Sequence, residues 1–254
     1  MNFIDLIKVE LLKIKRAKFL PLLFLAPLLV ISSGIASLQS YLTPEYTNAW
    51  AAMFIQGALV YSYYLLPFTM IVMCVMIMGR ESENNGILKM LSLPLSKEKL
   101  CLAKFSVLVL LLVLNIAIFM ATFAIGGMIA TNIAGINETL PFIYLIKKCL
   151  GIFFTMLPAL SLMWMISVVF ESSLITIALN LFLVIPGVLV ANFPIKYIYP
   201  YCYSGSFISA SLFDFTQGGE NLNYNSLTLI ICGSILFIIC LTVACQTFGN
   251  KERN

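Results

Sequence analysis

Six long apolar blocks separated by short polar stretches dominate the sequence and limit what it can fold into. One helix that crosses a bilayer needs roughly 20 consecutive, mostly apolar residues. Charged residues make up only 10% of the chain, against about 25% in soluble domains, so a water-exposed surface could not be covered. The blocks predict an all-α polytopic membrane protein with six transmembrane helices at 19–38, 51–79, 105–130, 150–170, 174–191 and 227–247.

Positive charges fall unevenly on the two sides of these spans. If the N-terminus is cytoplasmic, twelve of the 15 lysines and arginines lie in cytoplasmic segments, and the other three are Lys147, Lys148 and Lys196. The positive-inside rule then predicts a multi-pass protein with both termini in the cytoplasm. Lys104 is expected at the entrance of the third span, and Lys147 and Lys148 before the fourth.

The first 18 residues predict an amphipathic helix in the membrane interface. Lysines lie off its apolar face, and Asp5 and Glu10 are interspersed. The residues predicted to share the apolar face are Phe3, Ile4, Ile7, Leu11 and Ile14. The alternative is that this stretch is a cytosolic extension of the first span.

Residues 192–226, between the last two predicted spans, are rich in tyrosine, which favours membrane interfaces. The stretch contains the aromatic and apolar segment KYIYPYCYSGSFISASLF, which is too short and too polar to span. It predicts one or two short re-entrant helices, and the alternative is a plain extracellular loop. Of the seven cysteines only Cys202 is expected to face outward, and no disulfide is predicted.

Several functional classes are excluded by missing residues. The chain has no histidine, which removes His-based catalysis and most zinc sites. It also lacks the phosphate-binding pattern G-x-x-x-x-G-K-[ST], so it cannot hold ATP in that manner. No cofactor site in this chain and no nucleic-acid surface are predicted. No span carries the charged pair of a proton relay, which argues against an ion-coupled transporter.

The cytoplasmic loop at 80–104 is the most informative motif. An acidic pair, Glu81 and Glu83, precedes a short apolar helix that Pro94 ends, because proline has no N–H to donate. Ser96 is then placed to cap the next helix. Such an apolar helix below the membrane must pack on another surface.

This loop resembles the coupling loop of type-2 ABC exporter permeases, closest to those of lantibiotic-immunity and bacitracin-resistance transporters. The matching residues are Glu81, Gly86, Leu88, Leu91, Leu93, Pro94, Leu95, Ser96 and Lys104. The resemblance implies one permease domain over 1–254 in a bacterial cytoplasmic membrane, and a lantibiotic-type peptide substrate. It also implies a second permease, homologous or identical, and two copies of an ATPase subunit that binds ATP and Mg²⁺. The candidate ATPase-coupling residues are Glu81, Glu83, Gly86, Leu88, Leu91, Pro94 and Glu171.

Three polar residues near the spans, Gln56, Asn115 and Asn180, are candidates for a substrate path, since such residues face the bundle interior. The alternative is an interhelical hydrogen bond. Glu171, in the predicted turn between spans four and five, contacts the ATPase or the basic N-terminal helix, or is simply solvated. For the whole chain, the alternatives are a permease for a lipid, polysaccharide or small drug, or a membrane enzyme or scaffold that transports nothing.

Overall fold

The computed structural model describes residues 3–16, 21–36, 50, 57–83, 96–134, 142–170, 172–211 and 226–250. In these ranges the chain is helical apart from short turns, such as those at 185–186 and 191–193, and contains no β-strand. The α-helices are α1 (Phe3–Arg16), α2 (Leu22–Ala36), α3 (Leu66–Glu83), α4 (Lys97–Ala134), α5 (Phe142–Val169), α6 (Ser173–Val184), α7 (Gly187–Val190), α8 (Tyr203–Ala210) and α9 (Ser226–Asn250). A π-helical turn, Tyr61–Leu65, precedes α3, and two 3₁₀ turns, Pro194–Tyr197 and Pro200–Cys202, precede α8.

Five helical stretches are long and apolar enough to cross a membrane, which confirms the prediction of a polytopic all-α membrane protein. They are Gly57–Gly79, Lys97–Ile129, Phe142–Val169, Ser173–Val190 and Ser226–Phe248. The apolar helix α2 is shorter, with 15 residues. At 1.5 Å per residue it extends about 22 Å, less than the roughly 30 Å hydrocarbon core. The sixth span therefore stays a prediction.

Two helices begin before the apolar blocks from which their spans were predicted. Helix α4 begins at Lys97, directly after the predicted cap Ser96, and its block begins at residue 105. Helix α5 begins at Phe142, and its block begins at residue 150. Lys104 and Lys147 consequently lie inside helices that continue past them. A lysine can keep its charged end paired or near water while its stem packs along a helix, so one charge does not end a helix.

Helix α5 forms the centre of the bundle, with α3, α4, α8 and α9 packed around it. Helices α1 and α2 pack against α4. In the most apolar part of the span Gly57–Gly79, 61% of the residues are buried in the protein. In the spans Ser173–Val190 and Ser226–Phe248, which contain α6 and α9, the buried share is only 22%. These two helices therefore lie at the periphery, where their apolar side chains are available to lipid or to another subunit.

Between α6 and α8 the chain folds back through short helical turns tied together by tyrosines. Pro186 follows α6, and the hydroxyl of Tyr199 donates to the carbonyl of Leu183 near the end of that helix. The hydroxyl of Tyr203 donates to the carbonyl of Tyr197 at 2.5 Å. The last carbonyls of a helix have no hydrogen-bond partner within that helix. A side-chain donor such as the hydroxyl of Tyr199 therefore stabilises both the end of α6 and the segment that follows it.

Cys202 lies in this segment and is fully buried, contrary to the predicted outward orientation. Its thiol lies 3.0 Å from the carbonyl of Tyr199. The 3₁₀ turn that contains it packs against α5, and the side chain is buried in a cluster with Tyr63, Tyr203 and Leu229. All seven cysteines fall within the described ranges, and all are free thiols.

Candidate functional site

A buried ion pair joins α1 to the first turns of α4. The ammonium of Lys104 lies 3.0 Å from one carboxylate oxygen of Glu10, and the ammonium of Lys13 lies 2.5 Å from the other. Glu10 is 5% exposed and Lys104 only 1%. Removing charges from water is costly unless they are paired and hydrogen-bonded, so this arrangement fixes where α1 sits on α4.

The carboxyl of Glu10 is held in its charged form. Burial alone would raise its pKa. The positive charges of Lys104 and Lys13 and the hydrogen bonds from both amines together lower the pKa by more than burial raises it. The net result is a pKa below the ordinary value of 4.5. Glu10 therefore stays ionised at neutral pH and keeps its attraction for both lysines.

The face of α1 that packs against the bundle overlaps the predicted apolar face in part, since Ile7, Leu11 and Ile14 contact the core. Leu6, Glu10 and Ile14 are buried, whereas Phe3 and Ile4 are 41% and 64% exposed. Residues four apart lie on one face of a helix, so Leu6, Glu10 and Ile14 form a continuous stripe with a carboxylate at its centre. That spacing is the signal that could have revealed Glu10 as a buried ion-pair partner.

The predicted coupling loop is shorter at both ends than expected. Helix α3 continues to Glu83, so Glu81 and Glu83 lie in its last turn, and α4 starts directly after Ser96. The carbonyl of Ser96 accepts a hydrogen bond from the N–H of Leu100 in the first turn of α4. Four other candidates, Gly86, Leu88, Leu91 and Pro94, belong to the stretch 84–95, which is outside the described residues, as is Glu171. Their role in coupling stays a prediction.

Asn115 lies at the contact between α4, α2 and the π-helical turn. Its amide nitrogen donates to the carbonyl of Leu23 at 3.0 Å, and its amide oxygen accepts from the hydroxyl of Tyr61 at 2.5 Å. Asn115, Tyr61 and Leu23 are all fully buried. The ring of Tyr61 also stacks on Phe119, with centroids 4.1 Å apart.

The position of Pro27 explains this bond. In an α-helix the carbonyl of Leu23 would accept from the backbone nitrogen of residue 27, but proline has no hydrogen there. The amide of Asn115 supplies the missing donor, as neighbouring helices do for prolines in membrane proteins. Asn115 thus makes the interhelical hydrogen bond that was the alternative to a substrate-path role.

Asn180 in α6, like Asn115, is a buried amide that bonds to a neighbouring element. It is fully buried, it accepts a hydrogen bond from the hydroxyl of Tyr201 at 2.7 Å, and it donates to the carbonyl of Thr176 at 2.8 Å. It therefore ties α6 to the second 3₁₀ turn. Gln56 falls outside the described residues. Contact with substrate stays a prediction for Gln56, Asn115 and Asn180.

In the described part of the chain no group of His, Cys, Asp or Glu side chains is arranged to hold a metal ion. The polar clusters that are present join helices to one another instead. Among known protein families, residues 6–187 match the family described as ABC-2 family transporter protein. The chain belongs to the ABC-2 transporter family.

The match covers well over half of this permease, from α1 to the end of α6. It supports a membrane-embedded transporter subunit that works with an ABC ATPase. No curated protein shows sequence similarity to the permease. The resemblance of the 80–104 loop predicted the ABC-2 family correctly. An interhelical bond was the stated alternative for Asn115, but its partner Leu23 and the pairing of Glu10 with Lys104 were not predicted.

Proposed function

We propose that this permease pairs with a second permease and two ATPase subunits to export lantibiotic-type antimicrobial peptides from a bacterial cytoplasmic membrane. Membership of the ABC-2 family supports the exporter architecture. The resemblance of the 80–104 loop to lantibiotic-immunity permeases supports the cargo. In this proposal both termini are cytoplasmic, as the distribution of lysines and arginines predicts. ATP binds to the ATPase subunits, and this chain contributes the path through the membrane.

The buried pair of Glu10 and Lys104 is the observation that carries the coupling part of the proposal. Lys104 lies in the second turn of α4, shortly after the loop expected to contact the ATPase. Displacement of that loop moves the start of α4, and the ion pair makes α1 move with it. The nucleotide-driven motion therefore reaches both a membrane-crossing helix and the interfacial helix.

The proposal includes two further features of the membrane arrangement. The first is a sixth span at 19–38, the apolar block that contains α2. The segment from Pro194 to Ala210 enters the outer leaflet, which is supported by the packing of Tyr203 beside Gly233 of α9 and Pro158 of α5. Its internal hydrogen bonds satisfy the non-helical backbone, as a position within a membrane requires.

Deletion and complementation in the host test the cargo. We expect loss of this chain to lower the concentration of a nisin-like peptide that inhibits growth, and a plasmid copy to restore it. Unchanged susceptibility to such peptides would exclude the immunity role while leaving the family assignment intact. Transport of a lipid, polysaccharide or drug would then be examined with the same strains.

A further inference from the structure

An apolar groove lies between α5 and α9, apart from the Glu10–Lys104 pair and the predicted coupling loop. Its volume is about 610 Å³, within the range of pockets that bind one small ligand. Eleven residues line it: Phe154, Thr155, Leu157, Pro158, Tyr203, Leu229, Ile230, Gly233, Ser234, Phe237 and Ile238. Both walls belong to candidate membrane spans, so its open side is within reach of the hydrocarbon region.

The shape of the groove follows from two residues that face each other across it. Gly233 has no side chain, and a Cβ atom built there would lie 3.2 Å from Pro158 and 3.3 Å from the ring of Tyr203. Pro158 interrupts the hydrogen-bond ladder of α5 at the same level. The missing side chain at Gly233 lets α9 approach Pro158 and Tyr203 closely, so these three residues form the floor of the groove. Phe154 and Ile230, which are 64% and 61% exposed, form its rim.

Two of the three polar side chains of the groove, Thr155 and Tyr203, bond to carbonyls within the protein, and the third, Ser234, is exposed. The hydroxyl of Thr155 donates to the carbonyl of Gly151 at 2.7 Å, and that of Tyr203 to the carbonyl of Tyr197 at 2.5 Å. The remaining walls are almost entirely hydrocarbon. An occupant with exposed polar groups would lose hydrogen bonds to water without replacement, so the groove selects an apolar chain.

A cation stands above the groove on the same face of α5. Lys147 precedes Phe154 by seven residues, which is two helical turns and about 10 Å, and its side chain is exposed. Lys148 precedes Thr155 by the same interval, and its ammonium donates to the hydroxyl of Ser211 at 2.6 Å. A phospholipid is complementary to this arrangement, because its negatively charged phosphate lies above its apolar chains.

We propose that the groove between α5 and α9 binds one acyl chain of a membrane phospholipid, whose phosphate is held by Lys147. Lipid bound there fills the space between α5 and the peripheral helix α9 and contacts Tyr203 at the start of α8. The binding site thereby links lipid occupancy to the packing of the segment before α9. It does not depend on which cargo the permease exports.

Photolabelling of the purified full-length permease in lipid nanodiscs tests this proposal. The probe is phosphatidylglycerol that carries a diazirine in one acyl chain, diluted into phosphatidylcholine, with labelled residues mapped by mass spectrometry. We expect the label to concentrate on residues 154–158 and 229–238. Labelling spread evenly over the exposed faces of α4, α6 and α9, or crosslinks to a second copy of the chain in place of lipid, would overturn the proposal.

Matched variants separate the groove from the general lipid surface. Ser234→Phe fills the groove from its exposed rim and should reduce labelling there several-fold. Ile239→Phe adds the same ring to an exposed position that does not line the groove, so its labelling should match the wild type. Equal labelling in the two variants would contradict an acyl chain in the groove.

Lys147→Gln tests the phosphate contact at a surface position, where the fold is not at risk. It should weaken the preference for phosphatidylglycerol over phosphatidylcholine by roughly fivefold, the factor that corresponds to about 1 kcal/mol for one basic residue near an anionic surface. Lys147→Arg should retain the preference. An unchanged preference in Lys147→Gln would show that Lys147 does not hold the phosphate.

Discussion

The ammonium of Lys104 lies 3.0 Å from the carboxylate of Glu10, although 94 residues separate them along the chain. Both side chains are buried. The pair connects the helix expected at the membrane surface with the helix that follows the coupling loop, so its removal should have consequences for both stability and transport.

Removing one partner of this pair should destabilise the permease. Glu10→Leu or Lys104→Met leaves the other charge buried with less compensation, and we expect a loss of about 3–5 kcal/mol in the free energy of unfolding. The double variant Glu10→Leu with Lys104→Met should recover much of that loss. Lys13→Met is the control. The Lys13 side chain is 37% exposed, so its loss should cost less than about 1 kcal/mol. Thermal unfolding in detergent measures all four, and additive losses in the double variant would contradict the pairing.

The stability that Glu10 contributes to the fold should fall in acid and stay constant at neutral and higher pH. Its pKa is lowered in the folded state, so the stabilisation is fully present above the ordinary value of 4.5 and is lost as pH falls through the lower folded value. Between pH 6 and pH 8, an interval chosen as well above that value, the stability difference between wild type and Glu10→Gln should stay constant. It should shrink in acid. A difference that declined between pH 8 and pH 6 would show that Glu10 is not held ionised.

The bond from Asn115 to Leu23 should matter only while Pro27 is present. Asn115→Leu should cost about 1 kcal/mol, the usual range for hydrogen bonds between membrane helices. Pro27→Ala restores a backbone donor for the Leu23 carbonyl. Asn115→Leu should therefore cost less in a Pro27→Ala background, which a double-mutant cycle of unfolding free energies measures. Equal costs in the two backgrounds would mean that the amide does not compensate for the proline.

Gly205 should tolerate no side chain, because a Cβ atom there would overlap the ring of Tyr63. Displacing that ring would break the 3.2 Å contact between the hydroxyls of Tyr63 and Ser209. We expect Gly205→Ala to cost about 1–3 kcal/mol. At Gly79 a Cβ atom would lie 3.7 Å from Ser173, an ordinary contact, so Gly79→Ala is the control and should be close to neutral. Comparable melting temperatures for the two variants would argue against this packing.

Variants of the predicted coupling residues should separate transport from assembly. Glu81→Lys reverses a charge in the last turn of α3, and Leu91→Asp introduces a charge into the predicted docking helix. We expect both to abolish export while the permease still inserts into the membrane. Membrane fractionation, co-purification with the ATPase and peptide susceptibility measure these steps. Normal export by both variants would show that the loop does not couple the two subunits.

The membrane helices were predictable because each depends on the average composition of about 20 consecutive residues. The start of α4 was indicated by its predicted cap Ser96, whereas the start of α5 was not, because Lys147 lies inside a helix that begins at Phe142. The pairing of Lys104 could not be predicted either, because Glu10 is distant in sequence. The role of Asn115 likewise required the neighbour relation with Leu23. Burial of Glu10 was predictable from the sequence, because Leu6, Glu10 and Ile14 are spaced four residues apart and so lie on one face of a helix.

Helix α4 is a continuous run of 38 residues without proline. Its length is about 57 Å at 1.5 Å per residue, nearly twice the roughly 30 Å hydrocarbon core. A straight rod of that length that turns by about 5° around one end carries the other end through about 5 Å. A small change of angle beside Glu10 is therefore enough to separate or close side chains at the opposite surface of the membrane.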